Sequence, residues 1–420
     1  MFYTISMRKI LHADLNSFYA SVECLLDESL FGKPVAVTGS QSDRHGVVLA
    51  KNEIAKKYGI KTGMTAFEAK KLAPDIVFRE THFDLYIKYS REVKKLFYEY
   101  TDYVESFGID EAWLDITQCR RHNGDAVKIA EEIKNRVKLE IGLTLSIGIS
   151  FNKVFAKLGS DLKKPDAITE IPYENYKSII YPLPVQNLLY VGRATQKKLN
   201  KLTIKTIGDL ANSNEEILIQ HLGKWGAVLH SYACGLDNSP VKKFNEYSEY
   251  KSVGNSLTFY RDLNNNLDVE TLLLLLAESV TSRMAEYGFK FARTVTLTIT
   301  NNLLSTTTRM AKFRHPANLS YDVAELAMDL FKKNYDWQNN VRGLGLSISD
   351  FTNEDQISFD VDINKVEKKE NLEHTIEYLR QRFGRTSINR AVTLREKKFA
   401  TLDIRDRGVG SSLGKKNKEN

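Results

Sequence analysis

Ser106-Phe107-Gly108-Ile109-Asp110-Glu111-Ala112-Trp113-Leu114-Asp115 sets two adjacent carboxylates between apolar residues. Val104 to Gly108 and Ala112 to Ile116 read as strands, with Asp110 and Glu111 at the turn between them. A second short apolar run, Lys9 to Ala13, ends at another carboxylate, Asp14. An acid on a strand that faces a core is costly unless it is paired or binds a cation. If the two strands are neighbours, three carboxylates meet at one spot. Hard oxygen donors of that kind suit Mg²⁺. Two such ions roughly 4 Å apart can clamp an in-line phosphoryl displacement, one acidifying the attacking hydroxyl and the other neutralising the leaving pyrophosphate. On spacing alone, the same acids also read as surface turn residues. Asp115, on the same strand, is expected to face away.

The flanking sequence alternates between strand and helix. Phe18 to Leu26, Glu53 to Tyr58, Ala66 to Leu72, Tyr86 to Tyr103 and Ala126 to Glu140 have helical spacing. Pro34 to Thr38, Gly46 to Ala50 and Leu143 to Ser150 have strand character. Pro165, Pro172, Pro182 and Pro184 mark the passage into short helices over 185–235, with glycines at the turns. Past Pro240, strand Lys251 to Phe259, helix Val269 to Tyr287, strands Thr294 to Thr300 and Thr306 to Arg314, helix Tyr321 to Tyr335 and strand Val341 to Ser349 give a β-α-β-β-α-β order. A polar tail follows, with one helix at Leu372 to Phe383 and a Gly/Ser/Lys/Asn end, 408–420, expected to be disordered.

With 420 residues, 42% hydrophobic and 27% charged, the chain matches ordinary globular composition, which excludes global disorder. Its length suggests about three domains. Leu272 to Ala277 is the longest purely apolar run, far short of the ~20 residues of a bilayer helix. No membrane association and no secretory signal are expected. Cys24, Cys119 and Cys234 are few and widely spaced, which fits a reducing cytoplasm and excludes a disulfide framework. A net charge of +7 permits a polyanionic partner without demanding one.

Three long motifs, in order, resemble the Y-family DNA polymerases. His12-Ala13-Asp14-Leu15-Asn16-Ser17-Phe18-Tyr19-Ala20-Ser21-Val22-Glu23 is similar to their N-terminal motif, and the stretch 106–115 to their second. Gly148-Ile149-Ser150, Asn152-Lys153, Phe155-Ala156-Lys157 and Asp161 through Lys164-Pro165 are similar to their third. The likeness runs from about residue 8 to residue 350, nearest to the bacterial polymerase IV-like (DinB) and UmuC-like group.

The resemblance implies a mixed α/β (α+β) right-hand polymerase. The palm would be 1–24 with 83–171, the small fingers 25–82, the helical thumb 172–240 and the β-α-β-β-α-β little finger 241–351, followed by the tail 352–420. It implies template-directed, low-fidelity nucleotidyl transfer across damaged DNA. Asp14, Asp110 and Glu111 match the catalytic carboxylates that bind two Mg²⁺ ions, with the Leu15 carbonyl as a further ligand. Tyr19 matches the steric gate that leaves no room for a 2′-hydroxyl, with Phe18 beside it as the likelier core ring of the pair. Lys164 matches a lysine that reaches the triphosphate. Family members often carry a Tyr and an Arg, three apart, that hold the triphosphate; here Glu53 and Lys56 stand there. Lysine keeps the charge but loses the bidentate fork, and Glu53 is expected to point away or to pair with a lysine. Leu49 and Ala50 would roof the new base.

Val191-Gly192-Arg193-Ala194-Thr195-Gln196-Lys197-Lys198-Leu199 resembles a helix-hairpin-helix, with Tyr190 in place of the usual first glycine. Gly192, Arg193 and Lys197 would meet a phosphate at a helix start. Residues 241–351 hold 13 basic and 12 acidic residues, so grip there depends on placement. Lys251, Arg293, Arg309, Lys312 and Arg314 are the candidates. Gln356-Ile357-Ser358-Phe359 resembles a sliding-clamp peptide, with Gln356, Ile357 and Phe359 as the contacts. The expected partners are therefore primer-template DNA, deoxynucleoside triphosphates and a sliding clamp, for a cytoplasmic monomer. Two other readings stay open: a catalytically silent DNA- or clamp-binding protein, and another palm-type enzyme such as a nucleotide cyclase.

Overall fold

The computed structural model describes residues 7–39, 46–243, 246, 250–353, 363–384 and 387–401. The chain divides into two compact units, Met1–Gly39 with Val47–Tyr247, and Ser40–Gly46 with Ser248–Asn420. Among the described residues, no helix is long and apolar enough to cross a membrane.

The first unit begins with β1 (Ile10–Leu15), whose six residues are all buried. It continues through α1 (Phe18–Leu26), β2 (Val35–Thr38), β3 (Val48–Lys51), α2 (Glu53–Lys57), α3 (Ala66–Leu72), β4 (Val77–Glu80) and α4 (Phe83–Tyr98). Next come β5 (Val104–Ser106), β6 (Glu111–Asp115), α5 (Ala126–Arg136), β7 (Leu145–Ser150), α6 (Lys153–Leu162) and β8 (Ile168–Ile171). The main sheet runs β5-β6-β1-β7-β8, so the N-terminal strand lies at its centre, between β6 and β7. A small sheet, β3-β2-β4, carries α2 and α3 over its own apolar cluster. Five helices end the unit: α7 (Tyr176–Ile180), α8 (Arg193–Lys201), α9 (Ile207–Ala211), α10 (Glu215–Leu222) and α11 (Lys224–Ala233). Their core also takes in Val154, Phe155 and Leu158 of α6, so the helical region is seated on the sheet's own helix.

Local chemistry fixes α6. The Asn152 side chain accepts from the Phe155 N–H at 2.8 Å, an N-cap that starts the helix one turn after β7. Gly148 lets α6 lie directly on the strand: a Cβ there would fall 1.9 Å from the Ala156 carbonyl oxygen and 2.4 Å from the Ser160 nitrogen. Gly148→Ala must push helix backbone off the sheet and is expected to cost about 3 kcal/mol or more. Urea denaturation measures this; an unchanged midpoint would contradict the packing described.

The second unit is β9 (Ser252–Leu263), α12 (Asn266–Glu286), β10 (Phe291–Asn301), β11 (Thr306–Ala317), α13 (Ser320–Asn334) and β12 (Val341–Thr352), then α14 (Ile363–Phe383) and α15 (Lys397–Ala400). The β-α-β-β-α-β order is present, in an antiparallel sheet β11-β10-β12-β9. Its register sorts the side chains sharply. One face carries rows such as Val253–Ile348–Val295–Ala311, packed in the core with α12 and α13. The other carries Ser252–Ser349–Thr294–Lys312, Gly254–Ser347–Thr296–Met310, Ser256–Gly345–Thr298–Thr308 and Thr258–Gly343–Thr300–Thr306.

Several boundaries differ from the sequence expectation. α4 starts at Phe83 and stops at Tyr98, because the Thr101 hydroxyl turns the chain by donating to the Asp115 carbonyl at 2.7 Å. Glu111 is the first residue of β6 rather than part of the turn. α5 ends in a wide helical turn, Val137–Ile141, closed by Gly142 at φ 82°. The tail helix begins at Ile363, nine residues earlier than the apolar spacing suggests. Past it, Phe399 is buried in the core and stacks on Phe259 at 4.6 Å. Gln356, Ile357 and Phe359, like the segment 408–420, lie outside the described residues.

Candidate active site

The antiparallel register of β1 and β6 sets Asp14 directly opposite Glu111. The Leu15 N–H donates to the Asp110 carbonyl at 3.0 Å, tying the end of β1 to the acidic turn. Asp14 and Glu111, read 97 positions apart in the sequence, thus become cross-strand neighbours, with Asp110 beside them. Ligand atoms of His12, Asp14 and Glu111 all lie within 4.8 Å of one another.

Cations from α6 and its following loop converge on these acids. Lys157 Nζ lies 3.0 Å from Asp14 Oδ2 and 2.5 Å from Glu111 Oε2. Lys164 Nζ lies 2.8 Å from Asp14 Oδ2 and 2.8 Å from Asp161 Oδ1. Burial pulls the Lys157 ammonium down, yet Asp14, Glu111 and Asp161 outweigh it and hold it above its usual range. Lys164 is raised against burial in the same way, by Asp14 and Asp161. Asp110 moves in the opposite sense to a paired acid: burial, then the charges of Asp14 and Glu111, push it up to about 6. Glu111 is held low despite burial, because His12 and Lys157 favour its ionised form. The result is a largely buried spot where four carboxylates, Asp14, Asp110, Glu111 and Asp161, are offset only in part by Lys157 and Lys164. Its oxygen-rich donor set suits a hard divalent cation.

His12 is fully buried under this spot. Its Nδ1 lies 2.9 Å from Ser160 Oγ, and its Nε2 3.3 Å from Glu111 Oε2. Ser160 Oγ donates onward to the Lys157 carbonyl at 2.8 Å. Sequence reasoning gave no role to His12 or Lys157, although both stand inside the quoted motifs. The available signal was a lone histidine in an apolar strand, and a lysine one helical turn after Lys153.

Tyr19 and Phe18 part company. Phe18, also named among the nucleotide-binding candidates, is 4% exposed and belongs to the core, as expected of the likelier core ring of the pair. Tyr19 is half-buried, stacked on Tyr86 at 4.3 Å and 12°, with Phe83 edge-on at 5.9 Å. Tyr86 is itself fixed by donating to Glu23 Oε1 at 2.5 Å. Burial and the nearby Asp110 carboxylate push the Tyr19 phenol up to about 12. Glu53 accepts from Lys56 Nζ at 2.6 Å and from Ser17 Oγ at 2.8 Å, so it does pair with a lysine. Leu49 is exposed on β3 and Ala50 half-buried beside it.

Gly192 caps α8 without any side chain to satisfy the first N–H groups, and Gly192, Arg193 and Lys197 are all exposed. Tyr190, in the place of the missing glycine, adopts φ 68°, so the turn keeps its left-handed shape at a residue that ordinarily avoids it. In the second unit the five basic candidates do not share a face. Lys312 stands opposite Thr294 on the hydroxyl-lined side. Arg309 stands opposite Leu297 on the helix side, where its Nε donates to Asn334 at 3.0 Å. Lys251 and Arg314 are exposed and Arg293 is half-buried. The pleat puts residues three apart on opposite faces, so Arg309 and Lys312 serve different sides of the sheet.

Two stretches of the chain match the impB/mucB/samB family: residues 13–161 match the family itself and residues 250–361 its C-terminal domain. A DNA polymerase IV of Acetivibrio thermocellus is 48% identical over 393 residues, spanning 93% of this chain and 98% of that protein. DNA polymerase IV 1 of Bacillus subtilis is 36% identical over 397 residues, 94% of this chain and 95% of that one. Among solved structures, a Y-family DNA polymerase chimera of Dbh and Dpo4 superposes with a TM-score of 0.72 at 23% identity, covering 82% of this chain and 99% of the chimera. The motif order, the meeting of Asp14 with Glu111 and these full-length likenesses agree, and the chain belongs to the impB/mucB/samB family, the Y-family DNA polymerases of the polymerase IV type.

Proposed function

We propose that this DNA-directed DNA polymerase adds deoxynucleotides to a primer 3′-hydroxyl opposite damaged templates, with low fidelity, at the site formed by Asp14, Asp110 and Glu111. The observation that carries this reading is the cross-strand pairing of Asp14 with Glu111, with Asp110 tied beside them through the Leu15 N–H. These three carboxylates and the Leu15 carbonyl would hold two Mg²⁺ ions, which supply charge neutralisation on the phosphates and acidity to the attacking hydroxyl. The chain's own residues do the rest. Lys164 and Lys56 bring positive charge to the triphosphate, and Lys157 sits where charge on the leaving pyrophosphate needs offsetting. Tyr19, braced by Tyr86 and Phe83, excludes a sugar bearing a 2′-hydroxyl. Leu49 and Ala50 border the new base and leave it room.

DNA is held by two devices. Uncapped N–H groups at the start of α8, with Arg193 and Lys197, donate to a phosphate of the DNA. The open sheet face of the second unit offers short hydroxyls and Lys312 to the sugar-phosphate backbone, contacts that carry no sequence preference. Lys251, Arg293 and Arg314 add charge. Gln356, Ile357 and Phe359 would engage a sliding clamp, and the working form is a cytoplasmic monomer.

Primer extension with Mg²⁺ and deoxynucleotides tests this reading: the expected result is addition of the nucleotide complementary to the template. Tight DNA binding with no extension would favour the silent-binder reading, and cyclic nucleotide release the cyclase reading. A second expectation concerns Glu53, which occupies the lysine meant for the substrate. Glu53→Gln should free Lys56 and lower the deoxynucleotide KM severalfold with little change in kcat, whereas Lys56→Ala should raise it. Steady-state kinetics decide this, and a KM unmoved by both variants would remove Lys56 from the triphosphate site.

A further inference from the structure

The acidic turn hangs from helix α4. Ser90 Oγ donates to the Ile109 carbonyl, and one helical turn later Lys94 Nζ donates to the Gly108 carbonyl at 2.9 Å and to Ile109 at 3.4 Å. The next carbonyl, that of Asp110, accepts from Leu15 in β1. Three successive carbonyls of the turn are thus each held by a donor from another element. Phe107 closes the turn by donating its N–H to the Glu111 carbonyl at 3.1 Å.

Lys94 is an expensive way to make such a contact. The residue is 9% exposed, and burying an ammonium is costly unless it is hydrogen-bonded and offset by charge. Burial pushes it down to about 8, against the pull of Asp110 and Glu111. A stability role alone would be served by an apolar side chain here, since its helical neighbours Val93 and Leu96 are buried apolar residues. What an apolar residue cannot do is bind peptide oxygens beneath two like-charged acids. The turn has little slack: a Cβ on Gly108 would lie 3.3 Å from Asp110 Oδ1. A small shift of the 108–110 backbone therefore moves the carboxylate.

We propose that Lys94, together with Ser90, is a positioning residue for nucleotidyl transfer, anchoring the 108–109 carbonyls so that the Asp110 and Glu111 carboxylates point at their cation site. The inference rests on the assignment of those acids as cation ligands. Lys94 touches neither substrate nor reacting atoms; it acts through the turn.

The test compares the full-length parent with Lys94→Met, Lys94→Arg, Ser90→Ala and Asp110→Asn. Mn²⁺ binding to each protein on primer-template is followed by electron paramagnetic resonance, alongside primer-extension kcat, half-saturating Mg²⁺, DNA affinity and melting temperature. Lys94→Met is expected to lower kcat at least tenfold and to weaken Mn²⁺ binding at least fivefold, with DNA affinity within twofold of the parent. Lys94→Arg should recover both to within about threefold, and Ser90→Ala should move both in the same direction by less. Parental Mn²⁺ binding in Lys94→Met, or a kcat loss with no change in metal demand, overturns the proposal. If Lys94→Met does not fold, Ser90→Ala and Lys94→Arg decide, and parental metal binding in Ser90→Ala overturns it. Asp110→Asn separates the two levels: if it extends primers like the parent, the site assignment fails, whereas if it is inactive while Lys94→Met matches the parent, only the positioning role fails.

Discussion

Asp110→Asn is expected to abolish primer extension while making the metal-free protein more stable at neutral pH. The two effects share one cause. Asp110 is pushed up to about 6 by burial and by the charges of Asp14 and Glu111, against about 3.9 for an unfolded aspartate. Between those values the folded chain binds more protons than the unfolded one, so stability falls as pH rises from about 4 to 6, and the whole penalty is present above 6. A shift of this size corresponds to roughly 3 kcal/mol at pH 7. Asparagine keeps the shape without the charge and removes that penalty. If the three carboxylates hold the cations as proposed, losing one of them should cost several kcal/mol of transition-state stabilisation, on the order of 10³-fold in kcat. Melting curves in chelator at pH 4 and pH 7.5, with extension assays on the same preparations, check both. The variant should gain stability only at the higher pH. An active Asp110→Asn, or one destabilised at pH 7.5, would contradict the electrostatic description of the site.

Tyr19→Ala is the second large effect. The ring cannot swing aside, because Tyr86 stacks on it and Phe83 meets its edge. A rigid ring rejects an added hydroxyl by overlap, and removing the ring removes the overlap. Relative use of ribonucleotides over deoxynucleotides should rise about 10²-fold, equivalent to nearly 3 kcal/mol of discrimination, with deoxynucleotide kcat/KM falling less than tenfold. Competitive incorporation assays give the ratio directly, and unchanged sugar selection would remove Tyr19 from the gate. Phe18→Ala should behave differently. Its ring is in the core, so it should cost about 3–5 kcal/mol of stability and leave the incorporation ratio alone.

Much of this was legible in the sequence because the informative residues sit in continuous motifs on short elements. The apolar run before Asp14 and the hairpin around Asp110 and Glu111 announce strands, and the alternation over 251–349 announces the second unit's order. What stayed hidden depends on tertiary contact. Nothing local says that β1 lies at the sheet centre beside both β6 and β7, which is what joins Asp14 to Glu111. Lys157 and Lys94 look like ordinary helix-surface lysines until α6 and α4 are folded onto the sheet. The sequence names Arg309 and Lys312 as candidates without their faces, and only the sheet register shows that the pleat sends them to opposite sides. Phe399 lies in a polar tail whose composition hides a residue packed in the core.

The most direct test is anomalous diffraction at the manganese edge from crystals of the protein with primer-template, Mn²⁺ and a non-hydrolysable deoxynucleotide complementary to the template. Anomalous peaks are expected between the carboxylates of Asp14, Asp110 and Glu111, within direct coordination distance of their oxygens, with the triphosphate reaching the same peaks. Peaks elsewhere, with Lys157 still bridging Asp14 and Glu111 and the triphosphate bound away from all three acids, would contradict the proposed site.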